Sequence, residues 1–262
     1  MSGSETISDV DALEAVAIGA AGVAAGAINA VVGSGTLITF PTLLAFGYPP
    51  VLANVSNNIG LVPGVLSAAY GYRRELKGQS KRLLRFGTAS LIGGLTGALL
   101  LLKLPAGAFT AVVPVLILAA CVLVLLQPRL SAWSKRRQSS AKRADGGVPM
   151  WLGVLGTGVY GGYFGAAQGV LLMGMFGSFI QDDLQRLNAA KNVLASIVNG
   201  VAAVVFIAVA DVDWVAAAVI AVGSTLGGLT GAKFGRRLPP AVLRAVIVVV
   251  GVTASVILLV RG

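Results

Sequence analysis

Gly93–Ala98 reads GGLTGA, and Gly227–Ala232 reads GGLTGA again, 134 residues later. The same offset pairs Gly19 with Gly153, Gly22 with Gly156 and Gly35 with Gly169, and it lays Leu104-Pro105 on Leu238-Pro239. Residues 16–127 thus align with 150–261 without a gap. A chain built as two copies of one unit is restricted to folds in which that unit packs against itself.

Each copy divides in the same way. Apolar segments run near 13–32, 36–47, 52–72, 84–102 and 107–127, then near 150–166, 169–180, 188–209, 217–233 and 241–260. The chain is 56% hydrophobic and 11% charged, where a soluble domain carries about 25% charged residues. It therefore reads as a multi-pass membrane protein. Four segments of each copy are long enough, or nearly so, to cross about 30 Å of hydrocarbon. The second is not: twelve residues make about 18 Å of helix. It reads as a half-helix, tolerated only where protein or a water-filled cavity covers it.

The net charge of +10 does not indicate nucleic-acid binding, because the basic residues sit between spans. Twelve of the twenty Lys and Arg lie in Arg73–Arg85 and Arg129–Arg143, which assigns those loops to the cytoplasm. The loop equivalent to Arg73–Arg85 holds Asp211 and Asp213 and reads as outside. Lys233, Arg236 and Arg237 mark a cytoplasmic loop whose twin has only Lys103. Equivalent loops fall on opposite sides, so the expected fold is an all-α membrane protein of two inverted repeats, each of about five transmembrane or half-spanning helices. The expected organisation is an outside tail at 1–12, a first repeat at 13–127, a flexible basic cytoplasmic linker at 128–149 and a second repeat at 150–262. Both termini are expected outside the plasma membrane. Pro41, Pro63 and Pro114 are expected to kink or end their helices, or to act as hinges.

Chemistry is sparse. There is no His and one cysteine, Cys121, inside an apolar run. No disulfide, metal cluster or nucleophile–base pair follows from such a set. The stretch GSGTLITF lacks the lysine of a phosphate-binding loop. No enzymatic activity, metal or cofactor is expected.

The polar residues inside the spans stand out. On a helix, Asn188, Lys191, Asn192, Ser196 and Asn199 share an arc of roughly 140°. Asn54, Asn57 and Asn58 are the twins of Asn188, Lys191 and Asn192. A cation at membrane depth costs at least about 2.5–3.5 kcal/mol, so Lys191 either snorkels toward Arg186 or offers a positive site to an anion. The asparagines serve packing or supply neutral donors. The breaks before the half-helices carry Gly33, Ser34, Gly35 and Thr36 in one copy, and Gln168 and Gly169 in the other. They are either tight hairpins or helix N-termini, at Thr36 and Val170, whose free N–H groups hold an anion. GGLTGA has GxxxG spacing, which reads as helix packing.

The run GSGTLITFPTLLAFG from Gly33 to Gly47, the stretch ANVSNN ending at Asn57 and Asn58, and Asn188-Ala-Ala-Lys191 with Asn199 resemble the sulfite exporter TauE/SafE family of membrane permeases. One departure is Met175, which stands where the duplication would repeat Pro41. The resemblance implies transport of sulfur-containing anions such as sulfite or organosulfonates, usually as export. The expected function is then a membrane carrier of small sulfur anions by alternating access, embedded in a lipid bilayer. An anion channel and a non-transporting scaffold subunit stay open as alternatives.

Overall fold

The structure is a computed structural model and describes residues 12–138, 146–234 and 240–261. The tail at 1–11, part of the central basic linker at 139–145, residues 235–239 with Arg236 and Arg237, and residue 262 lie outside the described residues. The described residues form ten helices and no strand: α1 (Ala12–Val31), α2 (Thr36–Ala45), α3 (Pro50–Gly71), α4 (Ser80–Lys103), α5 (Ala106–Gln138), α6 (Gly147–Tyr163), α7 (Gln168–Phe179), α8 (Leu184–Val209), α9 (Trp214–Phe234) and α10 (Pro240–Arg261). Six are long and apolar enough to cross a membrane: α1, α3, α4, α8, α9 and residues 107–129 of α5. The second helix of each copy is short, 10 residues in α2 and 12 in α7, or about 15–18 Å.

Local chemistry sets several boundaries. Pro50 stands at the start of α3, where its missing N–H is no loss. Asp183 caps α8 by accepting from the Gln185 N–H at 2.8 Å, and Asp213 does the same for α9 from Ala216 at 2.8 Å. Pro41, Pro63 and Pro114 end nothing: each lies within an unbroken helix. The basic linker is helical where it begins, because α5 continues to Gln138.

The two copies interlock. The fourth helix of each packs on the first helix of the other, α9 on α1 and α4 on α6. Likewise α3 packs on α9 while α8 packs on α4, and α5 meets α7 while α10 meets α2. GGLTGA makes the first exchange close. A Cβ on Gly93 would lie 2.5 Å from the Leu155 carbonyl oxygen and 2.9 Å from Gly158 Cα, and a Cβ on Gly231 would lie 2.6 Å from Ala27 Cα. These are backbone-to-backbone seams, the use that small residues have in lipid, where no water drives association.

The loops show which ends meet. Arg82 and Arg186 both grip Asp182, at 2.7 and 2.8 Å, and Gln79 donates to the Arg186 carbonyl at 3.0 Å. The α3–α4 loop therefore lies beside the α7–α8 loop. At the other end of α8, the residues just after it line a cavity with Pro49, Val51 and Leu52, which lie between α2 and α3 or begin α3.

Packing is anchored by two apolar clusters. The larger holds Phe40 of α2, Phe109 of α5 and Phe164 at the end of α6, with ring centroids 5.3–6.5 Å apart. These rings fix α2 against the break that follows α6. The smaller is centred on Phe86 and Phe176, stacked at 6.1 Å.

Candidate functional site

Each copy breaks its backbone between a first helix and a half-helix by the same device. The Val32 and Gly33 N–H groups both donate to the Ile28 carbonyl, and Phe164 and Gly165 both donate to that of Tyr160. Gly33 has φ +84 and Gly165 φ +81, the left-handed cap that favours glycine. The two caps are 132 residues apart, two short of the offset that aligns the rest of the chain. Ser34 and Gln168, paired in the sequence alignment, are thus not structural equivalents. Ser34 lies inside its turn, whereas Gln168 is the first residue of α7.

The breaks meet. The Gly169 N–H donates to the Gly33 carbonyl at 3.0 Å. A Cβ on Gly169 would lie 2.5 Å from Gly33 Cα and 3.0 Å from Lys191 Cδ. Only two glycines allow this crossing. It changes the expectation of two free helix N-termini. Gly169 spends its N–H on Gly33, and Val170 spends its own on Ala167 at 3.0 Å. In the first copy Asn29 Oδ1 accepts from the Gly35 N–H at 2.7 Å, and the Thr36 N–H has no partner among the described residues. Backbone donors at α7 are therefore not free to hold an anion.

The polar stripe of α8 faces this crossing. Lys191 is 0% exposed, which removes the snorkelling alternative. Its Nζ donates to the Asn29 carbonyl at 3.0 Å. Asn188 and Asn192 both donate to the Ala30 carbonyl, at 3.0 and 3.3 Å. These three side chains satisfy the last carbonyls of α1, which a helix end leaves open. The other copy does likewise: Asn54 of α3 donates to the Tyr163 carbonyl at the end of α6, at 3.0 Å. Among the described residues no carboxylate lies within ion-pair distance of the Lys191 ammonium.

Other expected residues divide. Asn57 accepts from Thr39 Oγ1 and ties α3 to α2, which is the packing role. Gln168 is buried against Gly161. Asn58 and Asn199 are buried, as is Ser196, which donates back to the Asn192 carbonyl at 2.8 Å. Buried side-chain atoms without a partner include Ser34 Oγ, Asn58 Oδ1 and Asn188 Oδ1. Orphaned polar atoms of this kind are uncommon in packed protein.

With the polar centre in place, comparison with known proteins settles kinship: the sulfite exporter TauE/SafE profile matches residues 18–258. The chain belongs to the sulfite exporter TauE/SafE family. It is a multi-pass membrane transporter of that family. It is 29% identical over 237 residues to "Probable membrane transporter protein YfcA" of Escherichia coli, covering 90% of this chain and 86% of that protein. It is 26% identical over 228 residues to a "Probable membrane transporter protein" of Haemophilus influenzae, covering 87% and 88%. A Sinorhizobium protein, "Probable membrane transporter protein ORF9", is 26% identical over 236 residues, covering 90% and 88%. No solved structure matches. Within this family member, Asn29 is the residue whose weight the sequence understated: its side chain holds the first break and its carbonyl holds Lys191. The one cue was its position four residues before Gly33.

Proposed function

We propose that this TauE/SafE protein carries small sulfur-containing anions, sulfite or organosulfonates, across the plasma membrane by alternating access. The observation that carries the reading is Lys191. An ammonium with 0% exposure and, among the described residues, only a neutral carbonyl for a partner is an uncompensated positive charge in the middle of a membrane protein. Such a charge is expensive unless something negative visits it. It also touches the crossing of the two breaks, where a carrier needs its site.

The repeats are inverted in this reading, with both termini outside and the basic loops in the cytoplasm. The exchanged helix pairs and the meeting of the α3–α4 and α7–α8 loops support this. The crossing of Gly33 and Gly169 is the closed state. Access alternates as one half-helix lifts away from the other and bares Lys191 and the orphaned oxygens to one side. An inside-negative potential then favours efflux of an anion by about 2.3 kcal/mol per charge per 100 mV.

The test is uptake of sulfite, thiosulfate, sulfate and sulfoacetate into proteoliposomes, with and without an imposed potential. Saturable movement of the sulfur anions that stops in Lys191→Ala supports the proposal. Wild-type flux in that variant overturns the role of Lys191, and single-channel currents would replace the carrier by a channel.

A further inference from the structure

Arg244 lies about one turn into α10 and belongs to none of the polar groups described so far. It lines a cavity of about 240 Å³ together with Gln127, Gln185 and Asn188. The outer edge of the cavity is exposed at Pro128 and Leu184. Its inner edge is Val32, 2% exposed and next to Gly33. The cavity therefore runs from the surface to the residue before the crossing. At a water's share of about 30 Å³, it holds roughly eight waters' worth of volume. That accommodates a small oxyanion with part of its hydration shell.

Its charge is one-sided. Among the described residues Arg244 is the charged group of the lining, and no described carboxylate contributes to it. Asn188 is 5% exposed, and its Oδ1 has no partner. Its amide nitrogen has spent one hydrogen on Ala30 and retains another. The opposite end of α8 opens on a cavity of about 800 Å³ that carries Asp211 and Asp213 instead. A small anion is thus drawn to one mouth and repelled at the other.

We propose that this cavity is a second anion site, a waiting position on the Arg244 side of the crossing. The planar guanidinium forks onto two oxygens of a small sulfur oxyanion. The Asn188 amide donates a third bond, and its free oxygen accepts from a protonated or hydrated ligand. The inference rests on the anion-carrier reading and adds a residue and a side to it.

The experiment is calorimetric binding of sulfite to the purified full-length protein and to Arg244→Cys. Cys121, the one native cysteine, is buried, so a thiol at 244 can be modified selectively. Arg244→Cys is expected to bind sulfite at least about tenfold more weakly, the loss of a charge-assisted pair. Attaching an aminoethyl group by thiosulfonate chemistry restores a cation and is expected to recover much of the affinity. Attaching a sulfonatoethyl group is expected to abolish binding. Arg244→Lys, a second variant that keeps the charge and loses the fork, is expected to fall between. Affinity in Arg244→Cys equal to wild type, or unaffected by the sign of the attached group, overturns the site and leaves the carrier reading intact. A wild-type protein that binds none of sulfite, thiosulfate and sulfoacetate overturns both.

Discussion

Replacing Lys191 by Met separates the energetics of folding from those of function. Burying an ammonium costs about 2.5–3.5 kcal/mol on the mildest membrane scale. The single bond to Asn29, at 3.0 Å, returns about 1.5–3 kcal/mol as a hydrogen bond to a charged group. Met fills a similar volume without charge, but it leaves the Asn29 carbonyl unpaired for about 1–3 kcal/mol. At the middle of these ranges the Met variant is less stable by about 1 kcal/mol, so folding changes little. Binding has no such compensation. An oxyanion loses a charge-assisted bond of about 1.5–3 kcal/mol, which is about 10- to 150-fold in affinity. The assay is thermal unfolding in detergent with and without sulfite, beside sulfite flux in proteoliposomes. The expected result is a melting temperature within a few degrees of wild type without ligand, no ligand-induced rise and a collapsed flux at low sulfite. A Met variant that melts far below wild type yet moves sulfite normally would make Lys191 a cap for α1 and nothing more.

Other perturbations reach different parts of the argument. Gly169→Ala places a Cβ 2.5 Å from Gly33 Cα, and with backbone on one side the strain is about 1–3 kcal/mol. The crossing should open, seen as faster labelling of a cysteine introduced at Ser34, and unchanged labelling would show that the breaks do not gate access. Gly97→Ala drives a Cβ to 2.7 Å from the Tyr163 N–H nitrogen. It should lower the melting temperature by a comparable strain, about 1–3 kcal/mol, with sulfite affinity retained in whatever protein stays folded. At Asp182, outside the spans, burial works to raise the carboxyl pKa. The bonds from Arg82, the Asp183 N–H and Arg186 outweigh it, so the value lies below the ordinary one. A lowered folded value means stability that is fully present above about pH 3.9 and lost as pH falls through the folded value. Asp182→Asn should therefore cost about 1 kcal/mol at neutral pH, the group being partly exposed. The gap to wild type should close in acid, and an equal gap at both ends of the titration would place its cause elsewhere.

What the sequence could and could not disclose follows from the range of the forces involved. Helix positions were legible because apolar length is a local property: 52–72 and 188–209 were expected, and Pro50–Gly71 and Leu184–Val209 are found. The packing use of GGLTGA was legible for a related reason, since a small-residue face at GxxxG spacing has few other uses in lipid. The state of the helix N-termini was not. Whether the Gly169 N–H is free depends on Gly33 of the other copy, and no property of either break alone reports the other's distance. The register of the breaks was hidden too. The first helices share the shift of the caps: Gly93 meets the Leu155 carbonyl as Gly227 meets that of Val23, an offset of 132, so the 134-residue similarity that revealed the duplication also concealed the exception. Arg244 went unnoticed because one arginine near a helix start is ordinary for a basic membrane protein. Only the cavity it shares with Asn188 sets it apart.

The asymmetry between the copies bears on how such a protein can turn over at all. Two identical halves would place the same group on both sides of the crossing. Here the sequence twin of Lys191 is the neutral Asn57, and Asn57 is already engaged by Thr39. Positive charge at the crossing itself is thus supplied by Lys191 of α8 among the described residues, while the first copy contributes neutral groups: the Asn29 carbonyl that holds Lys191, and the Ser34 hydroxyl. In the proposed cycle, separating the half-helices would break the Gly169–Gly33 bond and strain the bond from Lys191 to Asn29. The freed ammonium would then either rebind the carbonyl or take an anion. A bound anion would stabilise the open crossing by the same contacts that its absence returns to the closed one. That differential affinity is the condition for a ligand to shift a two-state equilibrium. Asn57→Lys should test it by giving the first copy a competing cation: sulfite affinity should rise by about tenfold for one added charge-assisted bond. Turnover should fall, because an anion held from both sides no longer releases the crossing. Faster turnover in that variant would show that the second charge is not what limits closure.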